Sequence, residues 1–341
     1  MLNTVYRLVE PRRFEAQFTD IDILEDNVLV RPTHLSICHA DQRYYQGTRA
    51  KEILEKKLPM SLIHEGIGKV EYDPKGEFEI GKYVVMIPNT PCEKDKYIGE
   101  NYLRSSKFRG SGFDGFMQDY VAMRRNRLVL LPESINLNVA AFTEIVSVSY
   151  HAIDRFVRFS HDRRDRVGIW GDGNLAFITS LLLKKRLPDT EVYIFGINEY
   201  KMRDFVFADG TYDIDEIPKD IGLDHAFECV GQAASGNAIN QIIDYIKPEG
   251  TISILGVSEN PVPINTRMIL EKGLHMFGSS RSGYEDFKGT IELYRENKDV
   301  QEYLERLISD IVPIKTMKDM NMAFDVDIKK PGGKTIMLWE K

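Results

Sequence analysis

The sequence runs to 341 residues, long enough for two domains with cores of their own. Its 43% apolar and 28% charged residues are those of an ordinary globular chain, and a net charge of −7 gives no electrostatic support to a nucleic-acid partner. Three cysteines cannot build a disulfide framework, residues 1–7 carry no apolar core of signal-peptide length, and no run approaches the roughly 20 apolar residues of a membrane span, so a reducing cytoplasm is the expected compartment and no membrane partner is expected.

Residues 1–145 read as mostly β. Short strands are expected at 28–32, 68–72 and 83–87, the last stopped by Pro88, with turn residues such as Asp73-Pro74-Lys75-Gly76 between them. The charged segment 51–57 reads as a solvated surface helix. From about 146 the pattern changes. A helix over 148–159 is followed by a buried strand at 166–170, an apolar helix at 175–185, and strands at 191–195, 224–230 and 251–255. Strands alternating with helices predict a doubly wound parallel sheet, so the fold class is α/β. After 285 the chain turns helical and charged, then ends in a strand-like run at 334–339. The expected division is a first domain over 1–145, a dinucleotide-binding domain over 146–284, and a return of 285–341 to the first.

Two sites of chemistry stand out. Cys38 and His64 lie 26 positions apart, each close to a carboxylate, Asp41 or Glu65. Singly, Cys38 would be a small core residue and His64 with Glu65 a solvated pair. Together they read as metal ligands, because metal-bound histidines hand their second nitrogen to such a group. Glu144 lies in an otherwise apolar run, where an unpaired carboxylate is costly and a metal would be its partner. Three protein ligands would leave zinc a fourth, open position. Further on, Gly171-Asp172-Gly173-Asn174-Leu175-Ala176 follows a strand and opens a helix, which is the setting of a dinucleotide fingerprint. An NAD site places an acid at the end of the next strand, to hold the ribose. That end reads Phe195-Gly196-Ile197-Asn198, with no acid before Glu199, while Glu191 starts the strand and belongs at the opposite edge. Tyr200, Lys201 and Arg203 follow and suit a 2′-phosphate, so NADPH is the expected cofactor.

Cys-x-x-Asp, then His-Glu-x-x-Gly, an acid near 144, and Gly-x-Gly-x-x-Ala resemble, over the whole chain, the zinc-dependent medium-chain dehydrogenase/reductase family of alcohol and sorbitol dehydrogenases. The resemblance implies a mostly β, chaperonin-10-like catalytic domain plus a Rossmann domain. It implies zinc on Cys38, His64 and Glu144 with Glu65 at the metal, Asp41 behind the ligand histidine, and His39 against the cofactor pyrophosphate. Many members carry a hydroxyl two residues after the cysteine as a proton relay; Ala40 stands there, so the proton would pass through water near Glu65 or Tyr44. The family's four-cysteine structural lobe is absent, residues 88–112 holding only Cys92, which implies one catalytic zinc per chain.

Longer strings, among them Ala40-Asp41-Gln42-Arg43-Tyr44-Tyr45, Gly112-Phe113-Asp114-Gly115-Phe116-Met117-Gln118 and Gly278-Ser279-Ser280-Arg281-Ser282-Gly283, are similar to those of the family's ketose-phosphate reductases. These make ribitol 5-phosphate from ribulose 5-phosphate for teichoic-acid or capsule precursors. That implies a small phosphosugar substrate, which needs cationic anchors: Arg43 lies near the ligand cysteine, Lys107 and Arg109 sit in a Gly/Ser-rich loop, and Tyr44 and Arg281 match substrate-side residues of sorbitol dehydrogenases. A homodimer is expected, with a downstream cytidylyltransferase as candidate partner. The competing readings are an NAD-dependent polyol dehydrogenase of the sorbitol type and a catalytically silent nucleotide-binding protein of the same fold.

Overall fold

The structure, a computed structural model, describes residues 1–341. It divides into two compact units: Met1–Ser147 with Ser282–Lys341, and Val148–Arg281.

The first unit is built on a seven-stranded sheet ordered Leu128–Leu130, Tyr83–Met86, Glu65–Tyr72, Asn27–Ser36, Lys334–Trp339, Ile308–Ile314, with Val121–Arg124 pairing Asn27–Ser36 off that path. Alternating apolar residues such as Val28, Val30 and Met86 send one face of this sheet into a core shared with Phe116, Phe324 and Trp339. Strand register decides what meets at one end of the sheet. Ser36 stands opposite Glu65 on one side and Ile336 on the other. The start of Glu65–Tyr72, the end of Asn27–Ser36 and the start of Lys334–Trp339 are therefore neighbours. A helix, Met317–Lys329, makes the crossover between the last two strands, which run parallel.

The second unit holds a fully parallel six-stranded sheet ordered Gly210–Asp213, Glu191–Gly196, Arg166–Trp170, Leu223–Glu228, Ile246–Ile254, His275–Gly278. Counted along the chain this is the order 3-2-1-4-5-6 of a doubly wound dinucleotide fold. The switch point lies between Arg166–Trp170 and Leu223–Glu228. Apolar strands such as Val167-Gly168-Ile169-Trp170 are buried because helices cover both faces of such a sheet. No helix is long and apolar enough to cross a membrane.

Candidate active site

The metal cluster forms where strand Asn27–Ser36 gives way to the helix His39–Tyr45. Cys38 is the residue before that helix. Asp41, on its first turn and fully buried, accepts from the Cys38 N–H at 3.1 Å and from the Ile63 N–H at 3.0 Å. One carboxylate thus fastens the two ligand-bearing loops together. It also stands 3.6 Å from His64 Nδ1, close enough to favour charge there but too long for a directed hydrogen bond. Burial works against a charged His64, yet the Asp41 carboxylate and the Cys38 sulfur outweigh it and hold the imidazole well above its ordinary pKa. Ile63, just before the histidine, has φ of +70°, a strained value for a β-branched residue. Its amide is held by Asp41 and its carbonyl by the Phe116 N–H at 2.8 Å, which over-determines the conformation.

The ligating atoms of Cys38, His64 and Glu65 lie within 4.8 Å of one another. Glu144 sits on the first turn of helix Thr143–Phe159 and is 6% exposed. Its carboxylate stands outside that trio but within electrostatic reach of it: burial pushes its pKa up to about 7, with His64 countering and Glu65 adding. Glu65 is fully buried, and neither of its oxygens receives a well-directed hydrogen bond. Its compensation is Coulombic, from Lys334 Nζ at 2.6 Å. Three buried carboxylates, Asp41, Glu65 and Glu144, and the Cys38 thiol against one imidazole and one lysine leave the site short of positive charge. A divalent cation with mixed S, N and O ligands fits that deficit, and zinc is the metal this donor set suits. Lys334 is a member of this cluster that sequence reading missed.

On the substrate side, Tyr44 is 1% exposed and its hydroxyl has no hydrogen-bond partner. Three half-buried cations gather about it. The Arg49 guanidinium lies over the Tyr44 ring at 4.2 Å, and Lys57 Nζ is 5.8 Å from the same ring and 3.0 Å from Ser111 Oγ. Arg43 precedes Tyr44 on the helix; burial first, then the like charge of Arg49, lower its pKa. Arg49 and Lys57 were not singled out by the sequence. Helix Lys51–Lys57 does form with no residue buried, as a surface helix should, but its last lysine turns inward. Arg109 is no anchor: its guanidinium donates to the carbonyls of Asp114 at 3.2 Å and Ala122 at 2.9 Å, and burial pushes its pKa down to about 10. Lys107 lies against the Phe113 ring at 5.3 Å. Arg281, the last residue of the second unit, has φ of +58°. His39 opens the helix after Cys38, and burial followed by the Arg43 charge lowers its pKa.

In the lobe around Cys92, which is exposed, an ion pair does the fastening. Arg127 grips Glu100 through two contacts at 2.6 and 3.2 Å, and Glu100 Oε1 accepts the Tyr284 N–H at 2.8 Å.

In the second unit, Gly171 has φ of +128°, and a Cβ there would stand 3.2 Å from the Cys229 carbonyl, so only glycine fits. A Cβ on Gly173 would meet nothing within 4 Å. That open face lies at the start of the 13-residue helix Asn174–Arg186, where Asn174 and Leu175 contribute to the N–H groups that favour a phosphate. Ala176 is fully buried, allowing the helix to approach the sheet. Past Gly196, Lys201 Nζ is 5.8 Å from the Tyr200 ring, and Arg203 pairs with Glu199 at 2.7 Å on the exposed surface. Glu191 begins its strand, paired with Arg166 at 2.9 Å at the edge away from the fingerprint.

Residues 24–133 match the family model of the alcohol dehydrogenase GroES-like domain, and residues 203–296 that of the zinc-binding dehydrogenase. Over 340 residues, all of both chains, the sequence is 55% identical to the ribulose-5-phosphate reductase of Bacillus spizizenii. The chain belongs to the zinc-dependent medium-chain dehydrogenases, among the ribulose-5-phosphate reductases. The reductase of that name from Streptococcus pneumoniae is 43% identical, with 100% of this chain and 98% of the other covered. Among solved structures, S. aureus TarJ in complex with NADPH aligns over all of both chains at 47% identity with a TM-score of 0.90. The chaperonin-10-like and Rossmann readings of the two halves stand.

Proposed function

We propose that this reductase converts D-ribulose 5-phosphate to D-ribitol 5-phosphate with NADPH at a single zinc site. The observation that carries the reading is the convergence of Cys38, His64 and Glu65, with Glu144 beside them, in a chain that matches ribulose-5-phosphate reductases over its full length. Cys38, His64 and Glu144 would hold the metal, with Glu65 next to it. Bound zinc supplies Lewis-acid polarisation of the C2 carbonyl, and NADPH supplies the hydride.

The chain's own residues do the rest. Asp41 keeps the two ligand loops at fixed spacing and biases the orientation of His64. Lys334 holds Glu65 from behind. Residue 40 is alanine and cannot relay a proton, so the product hydroxyl draws its proton through the Tyr44 hydroxyl or water near Glu65. Arg43, Arg49 and Lys57, gathered around Tyr44, would take the substrate phosphate, with Arg281 as a further cation. On the cofactor side, Gly171, Gly173, Asn174 and Leu175 would carry the pyrophosphate, His39 would add a contact, and Tyr200, Lys201 and Arg203 would meet the 2′-phosphate.

The reading extends to a cytoplasmic homodimer whose product a cytidylyltransferase consumes, for teichoic-acid or capsule precursors. A phosphorylated alditol has to be activated before it can be polymerised, which supports that sequence. The test is NADPH oxidation with ribulose 5-phosphate beside free ribulose and fructose. Equal turnover of the free ketoses, or a preference for NADH with sorbitol, would replace this reading with a polyol dehydrogenase.

A further inference from the structure

Asp172 stands between the two fingerprint glycines, at a position the fingerprint leaves unspecified. Its side chain leaves its own loop and caps the end of the next strand. Oδ2 accepts from the Ile197 N–H, the Asn198 N–H and the Asn198 side-chain amide, each at 2.9 Å. The same side chain lies over Gly196. A Cβ built on Gly196 would come within 2.8 Å of Asp172 Cβ, 3.0 Å of its Oδ2 and 3.0 Å of Met202 Sδ. The Gly171 N–H, donating to the Phe195 carbonyl at 2.8 Å, ties the two strand ends together from the other side.

An NAD site roots a carboxylate at the end of the second strand and leaves its oxygens for the ribose hydroxyls. Here a carboxylate is present at that strand end, but it is rooted on the preceding loop and one of its oxygens is taken up by three protein donors. Two consequences follow. No side chain can grow from Gly196 while Asp172 is in place. And Ile197-Asn198, the entry to the exposed segment with Tyr200, Lys201 and Arg203, is pinned.

We infer that Asp172 is the positioning residue that sets the preference for NADPH over NADH, by holding the 197–203 segment where it meets a 2′-phosphate and by closing Gly196 to the acid an NAD site needs. The inference rests on the NADPH reading of this fingerprint.

The experiment uses the full zinc-loaded chain and calorimetric binding of adenosine 2′,5′-bisphosphate against 5′-AMP, with NADPH and NADH alongside. Asp172→Gly should weaken adenosine 2′,5′-bisphosphate by about tenfold, on the scale of a lost charge-assisted contact, and leave 5′-AMP within about threefold. The amides of Ile197 and Asn198 should exchange faster with solvent in that variant. Asp172→Asn, which keeps the Cβ and one acceptor, should retain most of the preference. Gly196→Asp alone should weaken both nucleotides, because its side chain has no room. The double variant Asp172→Gly with Gly196→Asp should take NADH at least as well as NADPH, a non-additive result that only the contact between the two positions explains. An unchanged 2′-phosphate increment in Asp172→Gly would overturn the inference. So would a clean switch to NADH in Gly196→Asp alone, which decides the matter even if Asp172→Gly proves too unstable to purify. A wild-type chain that binds NADH as tightly as NADPH would instead overturn the cofactor reading itself.

Discussion

Lys334→Met removes one cation and keeps most of the side chain's volume. Lys334 is 3% exposed and its partner Glu65 is 0% exposed. Neither Glu65 oxygen has a directed hydrogen bond to fall back on. The other lysine in this region, Lys330, is already paired with Asp327. Glu65 would therefore lose its ion-pair partner, with the His64 ring within 4.8 Å as the remaining cation, and breaking a buried pair from one side costs about 3–5 kcal/mol. That cost should appear in full only without zinc. A bound divalent cation beside Glu65 returns the missing positive charge, so the loss in zinc-loaded protein should shrink to about 1–2 kcal/mol, the range of a modest charged contact. The chain has two tryptophans, Trp170 in the second unit and Trp339 in the first. In a Trp170→Phe background, urea unfolding followed by Trp339 fluorescence reports the first unit alone. A second variant, Glu65→Gln with Lys334→Met, should recover much of the zinc-free stability because neither position then buries a charge. A Lys334→Met loss below about 1 kcal/mol without zinc, or an equal loss with and without it, would refute this account of the ion pair.

Cys38→Ala should lower bound zinc from about one per chain to near zero by elemental analysis, with the circular dichroism unchanged; two tightly held zincs per wild-type chain would contradict the site as described. Arg49→Ala and Lys57→Met should each cut kcat/KM for ribulose 5-phosphate by about tenfold or more while sparing free ribulose, the size expected for a charge-assisted hydrogen bond to phosphate; a uniform loss on both substrates would make these residues structural. His225 should make stability pH-dependent. Burial first, then the neighbouring His161, depress its pKa to about 4, Nε2 contacts the Arg163 carbonyl at 3.0 Å, and Nδ1 accepts the Thr251 N–H at 3.0 Å. The fold thus favours the neutral ring, so its contribution is complete above the ordinary histidine pKa of about 6.5 and is lost as pH falls toward 4, at up to about 1.4 kcal/mol per pH unit. Urea midpoints of wild type and His225→Gln should differ in slope across that window, and parallel curves would count against it.

The alternation that makes the second unit a doubly wound sheet was legible because its first two inner strands carry apolar runs, Val167-Gly168-Ile169-Trp170 and Val192-Tyr193-Ile194-Phe195. Strand Arg166–Trp170, helix Asn174–Arg186 and strand Glu191–Gly196 form within a residue or so of their expected bounds. The two outer strands left no such mark. Gly210–Asp213 and His275–Gly278 lie at the sheet edges, are half exposed, and pair through backbone with little apolar signal. The helix His39–Tyr45 was likewise invisible to periodicity, since a short, mostly polar segment is held by the Asp41 carboxylate on the Cys38 N–H and by what it buries.

The site divides along the same line. Cys38, His64 and Glu65 could be read because each sits in a short motif beside a carboxylate, and local spacing carries that information. Lys334 could not, because nothing near it in the sequence announces a partner. It reaches Glu65 only because Ser36 is in register with Glu65 on one side and with Ile336 on the other, so three strand ends far apart in the chain meet. A one-residue slip of the last strand would turn its side chains to the opposite face and take the lysine away from the carboxylate. Asp172 is hidden for a related reason. Its neighbours spell a fingerprint, whereas its function comes from the parallel pairing of Arg166–Trp170 with Glu191–Gly196, which sets two strand ends side by side. In both places the unreadable residue is a charge that register delivers to a buried or crowded partner. The chemistry of the motif is local, but the electrostatic support that makes it workable is a property of the sheet.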